Sequence, residues 1–368
     1  MDSLTQIVLG AALSAAIAPA GHRRAALLAG AALGTLPDLD VIPVNLFTDD
    51  PVAQMTWHRS LSHSLLVLPF VAWAIWGWCR ARGGRVAQSP RRWFWAMQAA
   101  LLTHPLLDAF TVYGTQLLWP LPLKPVMWSS VFVIDPLYTI WLLIACVWAW
   151  FARERRTAQP ALLIGLALSS LYLSGSLWAK HQVDREAEQA LAKLGLENAP
   201  RFSTPMPFTT LLWRVVAMTP DGFVEGERSL VADRGPMQFR AYRSDAAAYS
   251  QVGGYPAVHR LQWFNHGFMK AEEQGGRLLL SDLRMGAEPD YSFRFAVAER
   301  EGESWREIAP QQLKWPWQAA DKLPAMWARI WHEPKIAADE VADAHELQHA
   351  TAMRAGSRGA GMHGNELK

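Results

Sequence analysis

Charge and cysteine are the two things this chain has little of. Only 18% of its 368 residues are charged, and the formal net charge is +2. A balance that small leaves no electrostatic footprint for nucleic acid, so no nucleic-acid partner is expected. The two cysteines, Cys79 and Cys146, both lie in apolar runs. They read as inert core thiols, so disulfides say nothing about compartment. The start, Met1-Asp2-Ser3-Leu4-Thr5-Gln6, carries no basic residue. It lacks the positive region of a cleaved signal peptide, so its apolar stretch is expected to be retained. There is no internal repeat. The histidines of the second half (His259, His266, His332, His345, His349 and His363) have no compact ligand spacing and read as surface residues.

What is present is unevenly spread. Residues 1–180 are dense in Leu, Ala, Val and Trp, and most of the charge follows. The split predicts an α-helical polytopic membrane domain, then a soluble β-rich α+β domain over 181–340. A polar, Gly-rich tail, 341–368, is expected to be disordered. Six apolar segments stand out, at about 4–20, 24–36, 61–79, 93–112, 132–151 and 161–179. Four approach the ~20 residues needed to cross a bilayer. The first two are short and rich in Ala and Gly. They fit a tight helical hairpin, or alternatively half-buried or re-entrant pieces.

Arginines set the expected orientation. Arg23 and Arg24, then Arg80, Arg82, Arg85, Arg91 and Arg92, then Arg153, Arg155 and Arg156 fill alternate loops. The positive-inside rule assigns those loops to the cytoplasm, leaving the other loops and the C-terminal domain outward. After a charged helix at about 181–194 and a Pro-punctuated linker, period-two patterns predict strands at 211–218, 223–231, 237–242, 277–283 and 291–297. Helices are expected near 255–265 and 319–332.

The chemistry-bearing residues sit in or beside the apolar segments. They are Asp38 and Asp40 in Pro37-Asp38-Leu39-Asp40, His58 and His63 in His58-Arg59-Ser60-Leu61-Ser62-His63, and His104 and Asp108 in His104-Pro105-Leu106-Leu107-Asp108. An unpaired carboxylate at the bilayer centre costs about 2.5–3.5 kcal/mol on the most lenient scale. A divalent cation is the economical compensation for clustered His and Asp. His104 and Asp108 share one side of a continuous helix, unless Pro105 starts a new one. His58 and His63 lie about 140° apart on a helix, so His58 is expected in a loop and His63 in the first turn. Arg59 is a candidate for steadying a phosphate or oxyanion. Asp135 before Pro136 is a candidate catalytic or supporting carboxylate, or simply a helix cap. The bland reading of the whole set is a hydrogen-bonded intramembrane knot without metal.

At these residues the sequence resembles the YdjM/YbcI-like family of membrane-bound metal-dependent hydrolases. The resemblance rests on the start Met1–Gln6, on Gly34-Thr35-Leu36-Pro37-Asp38-Leu39-Asp40, on the His58–Ser64 stretch and on His104–Asp108, and it covers about residues 1–180. It implies a bacterial inner-membrane protein with Asp38, Asp40, His58, His63, His104 and Asp108 as ligands. The expected function is hydrolysis of an ester or phosphoester, with one or two divalent ions, most naturally Zn2+. A site beside the bilayer favours a lipid or lipid-linked substrate. Two other readings are a membrane scaffold that binds a partner, and an ion or proton transporter.

Overall fold

The computed structural model describes residues 1–314, 319–334 and 341. The expected tail, 341–368, lies outside them but for that one residue.

The first half is helical. Helix α1 (Ser3–Ile17) is N-capped by the Asp2 carboxylate, which accepts from the Thr5 backbone N–H. It is apolar all round and packs on four neighbours, as a central helix should. Helix α2 (Arg23–Thr35) returns antiparallel to it. A methyl group at Gly10, Gly30 or Gly34 would overlap a facing backbone carbonyl, so the tight hairpin exists because glycine stands at those three positions. A 3-10 turn (Leu36–Asp40) leads into α3 (Val41–Phe47), and α4 (Pro51–Trp57) follows. After a second 3-10 turn (Leu61–His63) come α5 (Leu68–Ala81), the short α6 (Gly84–Gln88) and α7 (Pro90–Asp108). Helix α7 runs through Pro105 without a break. Helices α8 (Pro136–Ala152) and α9 (Ala158–Lys193) complete the bundle.

The expected count of six apolar helices is not supported. Among the described residues, two helical stretches are long and apolar enough to span a membrane, Ala20–Phe47 and Ala158–Lys193. A third arises if Pro51–His63 and Leu68–Ala81, bent by 58°, form one broken span. Helices α1 and α8 have 15 and 17 residues, ~22 and ~26 Å at 1.5 Å per residue. Helix α7 is diluted by Arg91, Arg92, Gln98 and His104. The helix expected at 181–194 is the continuation of α9, not a separate element.

The second half is β-rich. Strands β1 (Arg201–Pro205), β2 (Leu212–Thr219), β3 (Gly222–Ser229) and β4 (Phe239–Arg243) form one antiparallel sheet in sequential order. Helices α10 (Ala246–Val252) and α11 (Pro256–Phe264) precede β5 (Met269–Gln274) and β6 (Arg277–Asp282). A small ribbon, β7 (Gly286–Ala287) with β8 (Asp290–Tyr291), leads to β9 (Arg294–Glu301) and β10 (Ser304–Gln312). The second sheet has the order β10-β9-β6-β5. Helix α12 (Ala319–Trp331) follows.

Strand β2 is buried on both faces. Trp213, Val215 and Ala217 pack on Ala179, Val183, Ala187 and Leu191 of α9. Val216, facing the other way, joins Phe202 and Phe223 against Phe268, Leu283 and Tyr291. The halves are also joined through α4: Val52 and Met55 belong to the same core as Val258, Leu261, Leu280 and Phe295.

Candidate metal centre

Four side chains from three stretches of chain meet at the end of the bundle where α2 and α7 finish. Asp38 comes from the 3-10 turn after α2, His63 from the turn before α5, and His104 and Asp108 from the last turns of α7. One ligand atom from each lies within 4.8 Å of all the others. The Nε2 atoms of His63 and His104 are 3.1 Å apart. His63 Nε2 is 3.3 Å from Asp38 Oδ1 and 3.2 Å from Asp108 Oδ2. His104 Nε2 is 3.3 Å from Asp38 Oδ1 and 3.6 Å from Asp108 Oδ2. Zinc–ligand bonds of 2.0–2.1 Å would give a tetrahedron with edges of ~3.3 Å, so these separations fit one ion.

The far sides of the two imidazoles fix their tautomers. His104 Nδ1 donates to the Gly34 carbonyl oxygen at 2.7 Å. His63 Nδ1 is 2.9 Å from Ser62 Oγ, whose own proton goes to Asp40 Oδ2 at 2.5 Å. Both Nδ1 atoms therefore carry hydrogen, and the Nε2 atoms are the ones turned toward each other and toward the two carboxylates. This is the outer-layer arrangement that orients histidine ligands to a metal. Asp108 Oδ2 is buried without a hydrogen-bond donor, and the Arg59 guanidinium stands beside it as an ion pair. Its other oxygen accepts from Gln6 Nε2 at 2.9 Å and pairs with the Met1 amino group.

Asp40 and His58 do not belong to the four. Asp40 Oδ1 accepts from His58 Nδ1 at 2.7 Å, and Asp40 Oδ2 accepts from the backbone N–H of Arg59 at 3.2 Å. Asp40 thereby shapes the loop that delivers His63, with Arg59 held at φ +62°. The ring of His58 lies beside those of His63 and Tyr113, 5.6 and 5.9 Å between centroids. Arg59 is buried next to the cluster. Its Nε is 3.2 Å from Asp108 Oδ2, its Nη1 donates to Thr111 Oγ1, and its guanidinium carbon lies 4.8 Å over the Tyr113 ring. Asp135 stands apart: it caps α8 through the Leu137 and Tyr138 backbone N–H groups and accepts from the Tyr172 hydroxyl.

Gln6 and Tyr113 escaped the sequence reading. A glutamine one turn into an otherwise apolar helix, as Gln6 is, was the available signal; Tyr113 left none. Only Asp38 among the four is partly exposed, its side chain at 20% against none for the others, so the cluster opens on the Asp38 side.

Apolar helices and a buried two-histidine, two-aspartate cluster define a membrane protein with a possible metal site. Residues 1–183 match the family model described as YdjM inner membrane protein, and the N-terminal half of the chain belongs to that family. No curated protein matches the chain. No solved structure matches it either.

Proposed function

We propose that this chain is a multi-pass inner-membrane hydrolase that uses a divalent ion, most naturally Zn2+, to cleave an ester or phosphoester in a lipid or lipid-linked substrate. The observation carrying the proposal is the pair of Nε2 atoms, 3.1 Å apart, turned toward two aspartate oxygens. Asp38, His63, His104 and Asp108 would hold the ion. When bound, it would supply a water of lowered pKa at neutral pH and polarise the scissile group. Asp40 orients His63 through Ser62 and holds His58 at the rim. Arg59 offers a guanidinium beside the cluster for a phosphate or developing oxyanion. Asp135 serves as the cap of α8. Arginines gathered at the opposite end of the bundle support an outward-facing site and C-terminal domain. The domains run 1–180, 181–340 and 341–368.

A second reading has an observation of its own. Four protein donors around one ion is the closed set of a structural site, whereas catalytic zinc keeps a position open. In that reading the ion locks a membrane scaffold together. The hydrolytic reading requires a further position on the exposed Asp38 side. Metal analysis of the detergent-purified chain, with Asp38→Asn, separates the two. Roughly one ion retained by the variant together with lost hydrolysis of a phospholipid-type ester favours catalysis. Loss of ion and thermal stability together favours the structural lock. Wild-type protein that takes up no zinc sinks both.

A further inference from the structure

The end of the bundle remote from the His/Asp cluster carries a shallow, open groove. It lies between α5 and α7, has a volume of about 460 Å³, and is lined by Trp73, Trp76, Arg80, Pro90, Arg91 and Phe94. Arg91 precedes His104 by 13 positions along the unbroken α7, ~20 Å at 1.5 Å per residue. The groove and the cluster therefore sit at different depths.

Its walls are pinned. The Trp76 indole N–H donates to the Pro90 carbonyl at 2.8 Å, and the Trp76 and Phe94 rings meet edge-on at 5.4 Å. Gln98 Nε2 ties α7 to the Pro69 carbonyl of α5 at 3.0 Å. Arg80 lies over the Trp76 ring, its guanidinium carbon 5.2 Å from the centroid. Trp73 stays 60% exposed on the apolar wall.

The charge around it is one-sided. Arg80, Arg82, Arg85, Arg91 and Arg92 are all exposed, and the sequence from 64 to 107 contains no Asp or Glu. Among the described residues, none of these five arginines forms an ion pair. The neighbouring loops add Arg23, Arg24, Arg153, Arg155 and Arg156 against one carboxylate, Glu154. They are drawn to the same end by the His22–Gln88 hydrogen bond and the Arg24–Trp150 carbonyl bond. An aromatic trough whose mouth is rimmed by unpaired guanidiniums suits an anionic amphiphile, and in a membrane protein that means an anionic phospholipid.

We infer that the α5–α7 groove binds one anionic phospholipid, with an acyl chain along Trp73, Trp76 and Phe94 and the phosphate on Arg80 and Arg91. This site is independent of the metal reading and survives its failure. Arg80 and Arg91 clasp the headgroup; Arg85 and Arg92 lie outside the groove.

The test is native mass spectrometry of the full chain from mild detergent with equal phosphatidylglycerol and phosphatidylcholine. Retention of phosphatidylglycerol should exceed that of phosphatidylcholine by about tenfold. Arg80→Gln with Arg91→Gln should remove that preference, while Arg85→Gln with Arg92→Gln should keep it. Arg80→Lys with Arg91→Lys should retain much of it, which distinguishes lost charge from a misfolded variant. Trp73→Ala should weaken phosphatidylglycerol with charge unaltered. Equal retention of the two lipids, or equal effects of the two glutamine pairs, overturns the proposal. So does displacement of the lipid by millimolar inorganic phosphate, which would mark a free-anion site.

Discussion

Arg260, in the β-rich half, donates from Nε to Thr56 Oγ1 at 3.0 Å and from Nη2 to the Thr56 carbonyl at 3.3 Å. Thr56 lies in the last turn of α4, two residues before His58 and three before Arg59. The same carbonyl accepts from Gln116 Nε2 at 2.8 Å, and Tyr113 donates to the neighbouring Met55 carbonyl. The C-terminal half thus grips the backbone that presents one side of the His/Asp cluster.

Arg260→Ala should therefore act at a distance. Two charge-assisted hydrogen bonds, at about 1.5–3 kcal/mol each when buried, are lost from a partly exposed contact, so the lower end applies. Zinc affinity should fall by less than the ~10-fold typical of a direct partner of a ligand. Competition with a chromophoric chelator measures it. An unchanged affinity would mean that the two halves are not coupled through α4.

Ser62→Ala removes the group between His63 Nδ1 and Asp40. It should cost about 10–100-fold in metal affinity while the four ligands stay intact. His104→Ala should abolish binding. If Ser62→Ala binds as tightly as wild type, the tautomer argument fails.

Stripping metal with a chelator should lower the midpoint of thermal unfolding, and added zinc should restore it, because binding to the folded state alone stabilises it. Differential scanning fluorimetry reads this out. Indifference to both treatments would leave a hydrogen-bonded knot as the better account of the cluster.

Gly30→Val should separate α1 from α2. Overpacking of this kind costs about 1–3 kcal/mol, and more here because the obstacle is a carbonyl. Retained zinc with a normal melting profile would contradict the close packing. The consequence reaches the cluster, since Gly34, in the last turn of α2, holds His104 through its carbonyl.

His266 gives a pH dependence. It is half-buried, with Nε2 donating to the Pro125 carbonyl at 2.8 Å. Burial holds its imidazole below the ordinary 6.5. Below pH 6.5 the unfolded chain takes up this proton more readily than the folded one. The stability it supports is thus complete above 6.5 and falls as pH drops through the folded value. His266→Gln should flatten the change in melting temperature between pH 7.5 and 5.5; an identical slope would remove His266 from the account.

The helical first half and the strand-rich second half were legible because hydrophobic content and periodicity change abruptly near 180. The missed strands share a physical reason. Strands β1, β5 and β10 are all sheet edges. Pro205 closes β1, Pro310 falls where the β10 register shifts between Glu307 and Gln311, and β5 reads Met-Lys-Ala-Glu-Glu-Gln. Proline and charge are what edges tolerate, and they erase the apolar alternation. At the cluster, residue types pointed to Asp38, His63, His104 and Asp108. Nothing in the spacing could tell them from Asp40 and His58, because that distinction is made by the turn around Ser62. The tie between Arg260 and Thr56 spans 204 positions and left no local trace.

Helix α9 is 36 residues without interruption, ~54 Å, against a hydrocarbon layer of ~30 Å. Its last turns carry the first sheet through Ala187, Ala190 and Leu191. A mast of that kind sets a fixed height. A continuous helix is a stiffer link to the β-rich body than a flexible tether of the same length would be.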